Sequence, residues 1–394
     1  MCGILAVQAI DDKDPLDILT YLQTLSNRGP DAIDSVQLSN IFLGFTRLSI
    51  NDLTADGMQP MHNEDKSVWL ICNGEIFNHK KIIMDHCFEP YSKSDCEVIL
   101  HLYMQYRDCE HIENKFNNWI KQLDGEFAFV IYDSSKNIML SCRDRYGVRP
   151  LFQGMIDRKV IGYASEMKAL TFCDTIHQVS PGTFEIVNIT NDVTSYIYHS
   201  VFFQPSSISQ HSLDQVLKNI NNLFKKAVQK RLMSERPICC LLSGGLDSSL
   251  VSSIVASHFP PHTIHTFSIG LEGSPDLYYA KKVADYILSV HHEVIVTQEE
   301  FLNHIEETIK TIESYDTTSV RASVGNLLVS KYISDNTDFK VVFNGDYSDE
   351  VCGGYKYFKN APSSFEFDHE CKRLISDICY FDSLRSDRTI SSQG

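Results

Sequence analysis

Short apolar runs in the first half of the chain predict β-strands. Turn residues separate seven of these runs: ILAVQAI, IFLGFTRLSI, SVWLICNG, EFAFVIYD, IMLSCRD, VIGYASE and GTFEIVNI. Helical periodicity occurs near residues 16–26 and 95–107. The pattern indicates that residues 1–202 form a sheet-rich domain with helices on it.

The second half of the chain has a different pattern. Residues 203–212, FQPSSISQHS, are polar and carry Pro and Ser, so we interpret them as a linker. An amphipathic helix, LDQVLKNINNLFKKAVQKRL, then precedes four strands in ICCLLS, TIHTFSIG, HEVIV and KVVFNG, with helical segments between them. This alternation predicts a doubly wound parallel-sheet domain over residues 213–394, and an α/β fold overall.

Composition excludes several classes of function. The 394 residues carry a formal net charge of −16, which argues against broad nucleic-acid or anionic-membrane binding because both reward a cationic surface. No run approaches the roughly 18 apolar residues of a membrane span, and the start lacks a secretory pattern. We therefore expect a cytoplasmic protein whose 12 scattered cysteines are reduced.

The chain begins MCGILAVQ, and Cys2 is a candidate nucleophile. Removal of the initiator Met would leave this residue with both a free α-amine and a thiol. The amine titrates near about 7.7–8.0 and the thiol near about 8.5, so the amine accepts the thiol proton at neutral pH. This is the arrangement of an N-terminal nucleophile. The alternative is an ordinary buried cysteine that opens a strand.

A second candidate site lies in CCLLSGGLDSSLVSSIV, where a Gly-Gly turn joins an apolar strand to a helix. Backbone N–H groups at such a helix start bind anions, although the Lys of a Walker A loop is missing. A carboxylate at Asp247 beside phosphates indicates an intervening Mg²⁺, and NGDYSDE places Asp349 on the same sheet edge. The alternative is a plain turn with Ser and Asp as helix caps.

Ordered motifs across both halves resemble the glutamine-hydrolysing asparagine synthetases, from Cys2 to about Ser392. They are MCGI, NRGPD, RLSI, NGEIFNH, SDCEVI, LDGEFAF, RDRYGVRPL, ASEMKAL, SGGLDSS, GLEGSPDL, YDTTSVRAS and SDEVCGGYKYF. The resemblance implies a glutamine amidotransferase domain at 1–202, built as an αββα sandwich of the N-terminal nucleophile hydrolase type. It implies an ATP-pyrophosphatase domain at 213–394 that adenylates aspartate, and an apolar passage that delivers ammonia between them.

The resemblance also assigns site residues. Cys2 would attack the glutamine amide while Asn73 and the N–H of Gly74 hold the oxyanion. The glutamine-binding set is Arg47, Leu48, Ser49, Ile50, Asn51, Asn73, Gly74, Glu75 and Asp95. Arg47 would pair with the substrate carboxylate, and Glu75 and Asp95 would receive the substrate's α-ammonium. An Asn-Gly turn would present hydrogen-bond donors to the developing oxyanion. The ATP-binding set is Leu241, Leu242, Ser243, Gly244, Gly245, Asp247, Ser248, Ser249, Ile269, Asn344 and Gly345, with Asp247 and Asp349 holding Mg²⁺.

Two departures from the family concern the second domain. Where the family usually reads SGEGSDE this chain reads NGDYSDE, so Asp346 replaces an intermediate-stabilising Glu and Tyr347 replaces a Gly. The family pattern also continues past this chain's last residues, through a basic catalytic residue, so we expect a synthetase domain that is short at its C-terminus.

Three alternatives remain open at this stage. One is a glutaminase whose synthetase half is inactive, another a relative that adenylates a different carboxylate, and the third a non-catalytic amino-acid or nucleotide sensor. The chain could also form a homodimer. We interpret Cys72 and Cys96 as buried apolar residues, Cys239 and Cys240 as strand core, and His291 and His292 as strand-edge residues.

Overall fold

A computed structural model describes residues 1–8, 18–108, 112–188, 193–200 and 212–394, with side chains 112–115 left out. The chain divides into two compact units, one of Met1–Ser200 with Ser391–Gly394 and one of Val201–Ile390. Apart from Ser212, the predicted linker lies outside the described residues.

The first unit contains two antiparallel sheets, each of six strands within the described ranges. The strands are β1 (Gly3–Gln8), β2 (Ala32–Leu38), β3 (Ile41–Arg47), β4 (Met61–His62), β5 (Val68–Ile76), β6 (Gly125–Asp133), β7 (Ile138–Arg143), β8 (Phe152–Ile156), β9 (Lys159–Ala164), β10 (Thr175–Gln178), β11 (Thr183–Asn188) and β12 (Val193–Ile197). One sheet has the order β10-β8-β9-β1-β3-β2, and the other has the order β12-β11-β7-β6-β5-β4.

Successive side chains along the strands of this unit pack into different core layers. The helices are α1 (Ile18–Gln23), α2 (His79–His86), α3 (Glu97–Tyr106) and α4 (Ile112–Ile120). On β5, Trp69 and Ile71 enter a core shared by both sheets, whereas Leu70 and Cys72 enter the core formed with α3. Successive side chains of a strand point to opposite faces, so each sheet buries both of its faces. The predicted αββα sandwich is confirmed.

The second unit contains a parallel sheet with the order β15-β14-β13-β16. Its strands are β13 (Ile238–Leu241), β14 (His265–Gly270), β15 (Val290–Ile295) and β16 (Val341–Phe343). The helices are α5 (Leu213–Lys230), α6 (Leu246–Ala256), α7 (Pro275–Tyr286), α8 (Gln298–Asn303), α9 (Ile305–Ile312), α10 (Thr317–Asn336), α11 (Ser348–Cys352) and α12 (Ser364–Ser391). The strand order reverses beside β13, and in such sheets ligands bind at the carboxyl ends of the strands at that switch point.

In the described part of the chain, no helix combines the length and the apolar character that a membrane crossing requires.

Candidate active site

Cys2 stands directly before β1, against the loop that follows β3. Its Sγ accepts a hydrogen bond from the Leu48 N–H at 3.4 Å and lies 3.6 Å from the Leu48 carbonyl oxygen. A Cβ on Gly3 would lie 2.6 Å from Thr46 Oγ1, so only glycine lets the chain pass this close to β3. Burial raises the pKa of the Cys2 thiol, and the positive charge of the chain's amino group lowers it.

The NRGPD segment holds residue 2 in place. Arg28 Nε donates to the carbonyl oxygen of Cys2 at 3.0 Å, and Arg28 Nη1 donates to Glu166 Oε1 at 2.9 Å. The side chains of Arg28 and Glu166 are buried. Asp31 Oδ2 accepts from the Ser49 N–H at 2.8 Å. The motif therefore positions the start of the chain and the loop after β3.

Most of the predicted glutamine-binding residues line one pocket. Its lining includes Cys2, Arg47, Leu48, Ile50, Asn51, Asn73, Gly74, Glu75 and Asp95. Ser49 is not among the lining residues. Seven further residues line the pocket and were not predicted to bind glutamine, namely Met1, Phe45, Gly57, Gln59, Cys72, Ser94 and Cys96.

One end of the pocket carries the buried guanidinium of Arg47. Its Nη1 donates to the Thr54 carbonyl oxygen at 2.7 Å, and its Nη2 donates to the Asp52 carbonyl oxygen. Burial alone would raise the pKa of Asp52, but hydrogen bonds from Thr54 and the Lys93 N–H, with the Arg47 charge, hold it below its ordinary value. A Cβ on Gly57 would lie 2.5 Å from Arg47 Nη2, so this glycine leaves space for the guanidinium.

The pocket also contains two carboxyl groups, Glu75 and Asp95. Asp95 Oδ1 accepts from Asn51 Nδ2 at 3.2 Å, and Asp95 Oδ2 accepts from the Ile76 N–H at 2.6 Å. Burial, followed by the charge of Asp95, raises the pKa of Glu75 to about 8. Burial also raises the pKa of Asp95. A cation placed between these groups would favour their ionised forms.

The Asn73 side chain is fully buried in the pocket lining, and neither of its polar atoms finds a hydrogen-bond partner among the described residues. Leaving such a group unpaired costs about 1–3 kcal/mol. The predicted turn at Asn73 and Gly74 is wrong, because both lie in β5, which continues to Ile76. A Cβ on Gly74 would lie 2.5 Å from the Glu126 carbonyl oxygen, so glycine permits close pairing with β6.

In the second unit, the segment SGGLDSS joins β13 to α6. Gly244 has φ +78°, and a Cβ there would lie 2.5 Å from the Ala280 nitrogen. The hydroxyls of Ser243 and Ser248 are 3.0 Å apart. The N-cap Gly245 makes no side-chain cap bond to the first turn of α6. The strand-to-helix anion site that the sequence predicts would lie at this turn.

The loop after β16 packs on the start of α6. A Cβ on Gly345 would lie 2.6 Å from the Ser248 nitrogen. Burial, followed by the charges of Asp349 and Glu350, raises the pKa of Asp247, and burial and Glu350 raise that of Asp349. The described residues contain no group of three His, Cys, Asp or Glu side chains suited to a metal. Two carboxylates fit Mg²⁺, which takes its other ligands from phosphates and water.

The other residues predicted to bind ATP lie near this edge of the sheet. Leu241 ends β13, Ile269 lies near the end of β14, and Asn344 follows β16. The neighbouring strands are parallel, so their carboxyl ends share this edge. Asn344 Nδ2 donates to Asp346 Oδ2 at 3.0 Å.

The two residues that depart from the family pattern contact α12. Asp346 accepts hydrogen bonds from Arg385 Nη2 at 2.8 Å and from the Ser386 hydroxyl. Tyr347 has φ +76°, which explains why glycine is usual at this position, and its hydroxyl lies 2.7 Å from Ser383 Oγ. The side chains of Asp346 and Tyr347 thus hold the loop after β16 to α12.

Fold and sites together define a two-part enzyme class, a glutamine amidotransferase domain followed by a nucleotide-binding synthetase domain. The glutamine amidotransferase domain family matches residues 1–212, and the asparagine synthase family matches residues 219–388. The chain is 38% identical to the probable glutamine-hydrolysing asparagine synthetase of Acanthamoeba polyphaga mimivirus and 39% identical to the asparagine synthetase of Homo sapiens. Both alignments span 100% of this chain and 74% of the relative. The chain belongs to the glutamine-hydrolysing asparagine synthetases, a family of ATP-dependent ligases.

Proposed function

We propose that this chain converts aspartate, glutamine and ATP into asparagine, glutamate, AMP and pyrophosphate. The observation that carries the proposal is the pocket that joins Cys2, the unpaired Asn73 amide, Arg47 and the two acids in a member of this family. The proposal includes a cytoplasmic location. Light scattering decides between a monomer and a homodimer.

Glutamine fits the charges of this pocket. Backbone carbonyl oxygens hold the Arg47 guanidinium in a fixed position. Its remaining N–H donors pair with the substrate α-carboxylate. Glu75 and Asp95 receive the α-ammonium. The carboxamide is then directed to Cys2 and Asn73, which line the same pocket.

The first reaction is acyl transfer to the Cys2 thiol. Removal of Met1 gives Cys2 a free amine that accepts the thiol proton, and the sulfur attacks the glutamine carboxamide carbon. Negative charge develops on the carboxamide oxygen, and Asn73 Nδ2 is a buried donor with no competing partner in the described chain. Ammonia leaves with the proton from the amine. Water then cleaves the thioester and releases glutamate.

The second reaction activates aspartate. The β-carboxylate attacks the α-phosphorus of ATP, and pyrophosphate leaves. Backbone N–H groups at the start of α6 and the hydroxyls of Ser243, Ser248 and Ser249 hold the phosphates. Asp247 and Asp349 would hold Mg²⁺, which would offset phosphate charge. Ammonia then attacks the acyl carbon of the adenylate, and AMP leaves.

The deciding experiment supplies aspartate, Mg²⁺ and ATP with either glutamine or ammonium, and follows glutamate, pyrophosphate and asparagine separately. The proposal predicts all three products with glutamine, and pyrophosphate and asparagine with ammonium. Cys2→Ala is the matched control, which should lose only the reactions that need glutamine. Glutamate without pyrophosphate would support a glutaminase alone, and no product from either donor would support a sensor.

A further inference from the structure

The last part of β5 carries the proposed oxyanion donor and borders the glutamine pocket. On one side, β6 pairs with β5 along the whole length of β5. On the other side, β4 begins at Met61, which lies opposite Leu70. Cys72 and Asn73 lie beyond that pairing, and both line the pocket. At these two residues a strand supports the main chain on the β6 side, and a side chain supports it on the other.

That side chain belongs to Gln59, which is 4% exposed and lines the pocket. Its Oε1 accepts a hydrogen bond from the Cys72 N–H at 2.6 Å, and its Nε2 donates to the Cys72 carbonyl oxygen at 3.2 Å. A side-chain amide offers both a donor and an acceptor, as a peptide group does. The amide of Gln59 thus pairs with both polar groups of one main-chain residue.

The register of the two strands explains why Gln59 meets Cys72. Gln59 lies two residues before Met61, and Cys72 lies two residues after Leu70, so the two face each other if the antiparallel register of β4 and β5 continues. The side chain of Gln59 therefore extends the hydrogen-bond ladder by one pair, past the residue where β4 begins.

We propose that Gln59 is a positioning residue for glutamine hydrolysis, which holds the Cys72 main chain so that the Asn73 amide donates to the oxyanion. The inference rests on the proposed function. Asn73 is buried and its amide has no hydrogen-bond partner among the described residues, so no hydrogen bond of its own fixes it before the substrate binds. The main chain next to it is fixed by Gln59. Misplacement by about 1 Å is enough to cost about 10²-fold in rate.

Gln59→Met tests this role through the kinetics of glutamate release. The variant keeps the length of the side chain and removes both hydrogen bonds to Cys72. We expect kcat to fall by about 10²-fold with little change in KM, because the residues that bind the charged groups of the substrate are intact. Gln153→Met is the matched control, since it removes an amide that donates to Glu185 and does not line the pocket. It should keep the normal kcat. A normal kcat in Gln59→Met would overturn the proposal.

A double-mutant cycle with Asn73→Ala separates positioning from a merely structural role. Asn73→Ala should lower kcat by about 10²–10³-fold, as loss of an oxyanion donor does. Adding Gln59→Met should lower it no further, because both changes remove the same hydrogen bond to the transition state. If the two losses multiply, Gln59 does not act through Asn73. Gln59→Asn withdraws the amide by one methylene and should show the same non-additivity, so it replaces Gln59→Met if that variant does not fold.

Amide hydrogen exchange tests the contact without turnover. In the peptide that contains Cys72, exchange should be faster in Gln59→Met than in the unmodified chain, and unchanged in Gln153→Met. Equal exchange in all three proteins would overturn the proposal. If the unmodified chain releases no glutamate, the proposed function fails and this role fails with it. Normal glutamate release from the unmodified chain, combined with multiplying losses in the cycle, would refute this inference alone.

Discussion

Arg28 Nε donates a hydrogen bond to the main-chain oxygen of Cys2 at 3.0 Å. The guanidinium that fixes the start of the chain is itself fixed by Glu166, 2.9 Å away and equally buried. The nucleophile thus depends on an ion pair that lies outside the pocket lining. This hydrogen bond is a structural reason for the NRGPD motif to occur together with MCGI.

Replacing Arg28 should separate stability from catalysis. Arg28→Met removes one partner of the buried Glu166, which keeps its ion pair with Lys168, so the loss of unfolding free energy should be smaller than the about 3–5 kcal/mol of an uncompensated buried charge. Arg28→Met with Glu166→Gln removes the buried charge and should recover much of that stability. Glutamine hydrolysis should stay reduced by about 10²-fold in both, because the hydrogen bond to Cys2 is lost. Denaturant unfolding and glutamate release provide the two readouts. Full activity in the double variant would show that Arg28 has only a structural role.

Gly57→Ala should weaken glutamine binding through Arg47. The added Cβ would lie 2.5 Å from Arg47 Nη2, so the guanidinium must move. Loss of a charge-assisted hydrogen bond is worth about 1.5–3 kcal/mol, which corresponds to roughly a 10–100-fold rise in KM. Gly325→Ala is the control, because its Cβ would have no neighbour closer than 3.9 Å. Equal KM values for the two variants would argue against a carboxylate site at Arg47.

Glutamine binding should release a proton from Glu75. Its pKa is raised to about 8, so the carboxyl is mostly protonated at pH 7, and the substrate ammonium favours the ionised form. In the Cys2→Ala background, the binding enthalpy measured by calorimetry should vary with the ionisation enthalpy of the buffer at pH 7, and should vary less at pH 8. Adding Glu75→Gln should abolish the dependence. If the binding enthalpy of Cys2→Ala does not depend on the buffer, the substrate α-ammonium does not lie beside Glu75.

The same carboxyl gives a stability prediction with a definite sign. Its pKa rises from 4.5 to about 8, so the folded chain holds this proton over a range where the unfolded chain has lost it. The contribution of Glu75 to stability therefore falls as pH rises from about 4.5 to about 8. Glu75→Gln should gain stability relative to the unmodified chain across that window. Denaturant unfolding at pH 5 and pH 8 measures the difference, and an equal difference at both values contradicts it.

Asp349→Asn should separate the two half-reactions. Asp247 and Asp349 repel each other, because the charge of Asp349 helps to raise the pKa of Asp247. Without nucleotide the variant should melt slightly higher, since one like charge is removed. Pyrophosphate formation should fall at least about 10²-fold, while glutamine hydrolysis remains. Pyrophosphate formation at the normal rate would exclude Asp349 as a metal-side residue.

The sequence predicted the strands inside the sheets better than those at the edges. Five strands of the first unit were not predicted, and four of these, β2, β4, β10 and β12, are the outer strands of its two sheets. β2 shows the reason, because AIDSVQL is largely exposed and has no continuous apolar run. A strand that buries little surface leaves a weak hydrophobic signal. β8, beside an edge, was also missed.

The residues of the glutamine site were predicted from motif resemblance more than from their spacing along the chain. Cys2, Arg47, Glu75 and Asp95 lie far apart along the chain, and only the tertiary fold brings them to one pocket. Gly57 could not be recognised, because its importance comes from a contact with Arg47 that the sequence does not encode locally. Cys96 lies inside the SDCEVI motif, yet its burial gave no sign that it faces the pocket.

The most direct test of the account labels the nucleophile. The protein is incubated with an electrophilic glutamine analogue, and its intact mass and peptides are measured with and without excess glutamine. We expect a chain that lacks Met1 and carries one analogue-derived group on Cys2, with labelling suppressed by glutamine and absent in Cys2→Ala. Active protein that retains Met1, or a label on another residue, would contradict it.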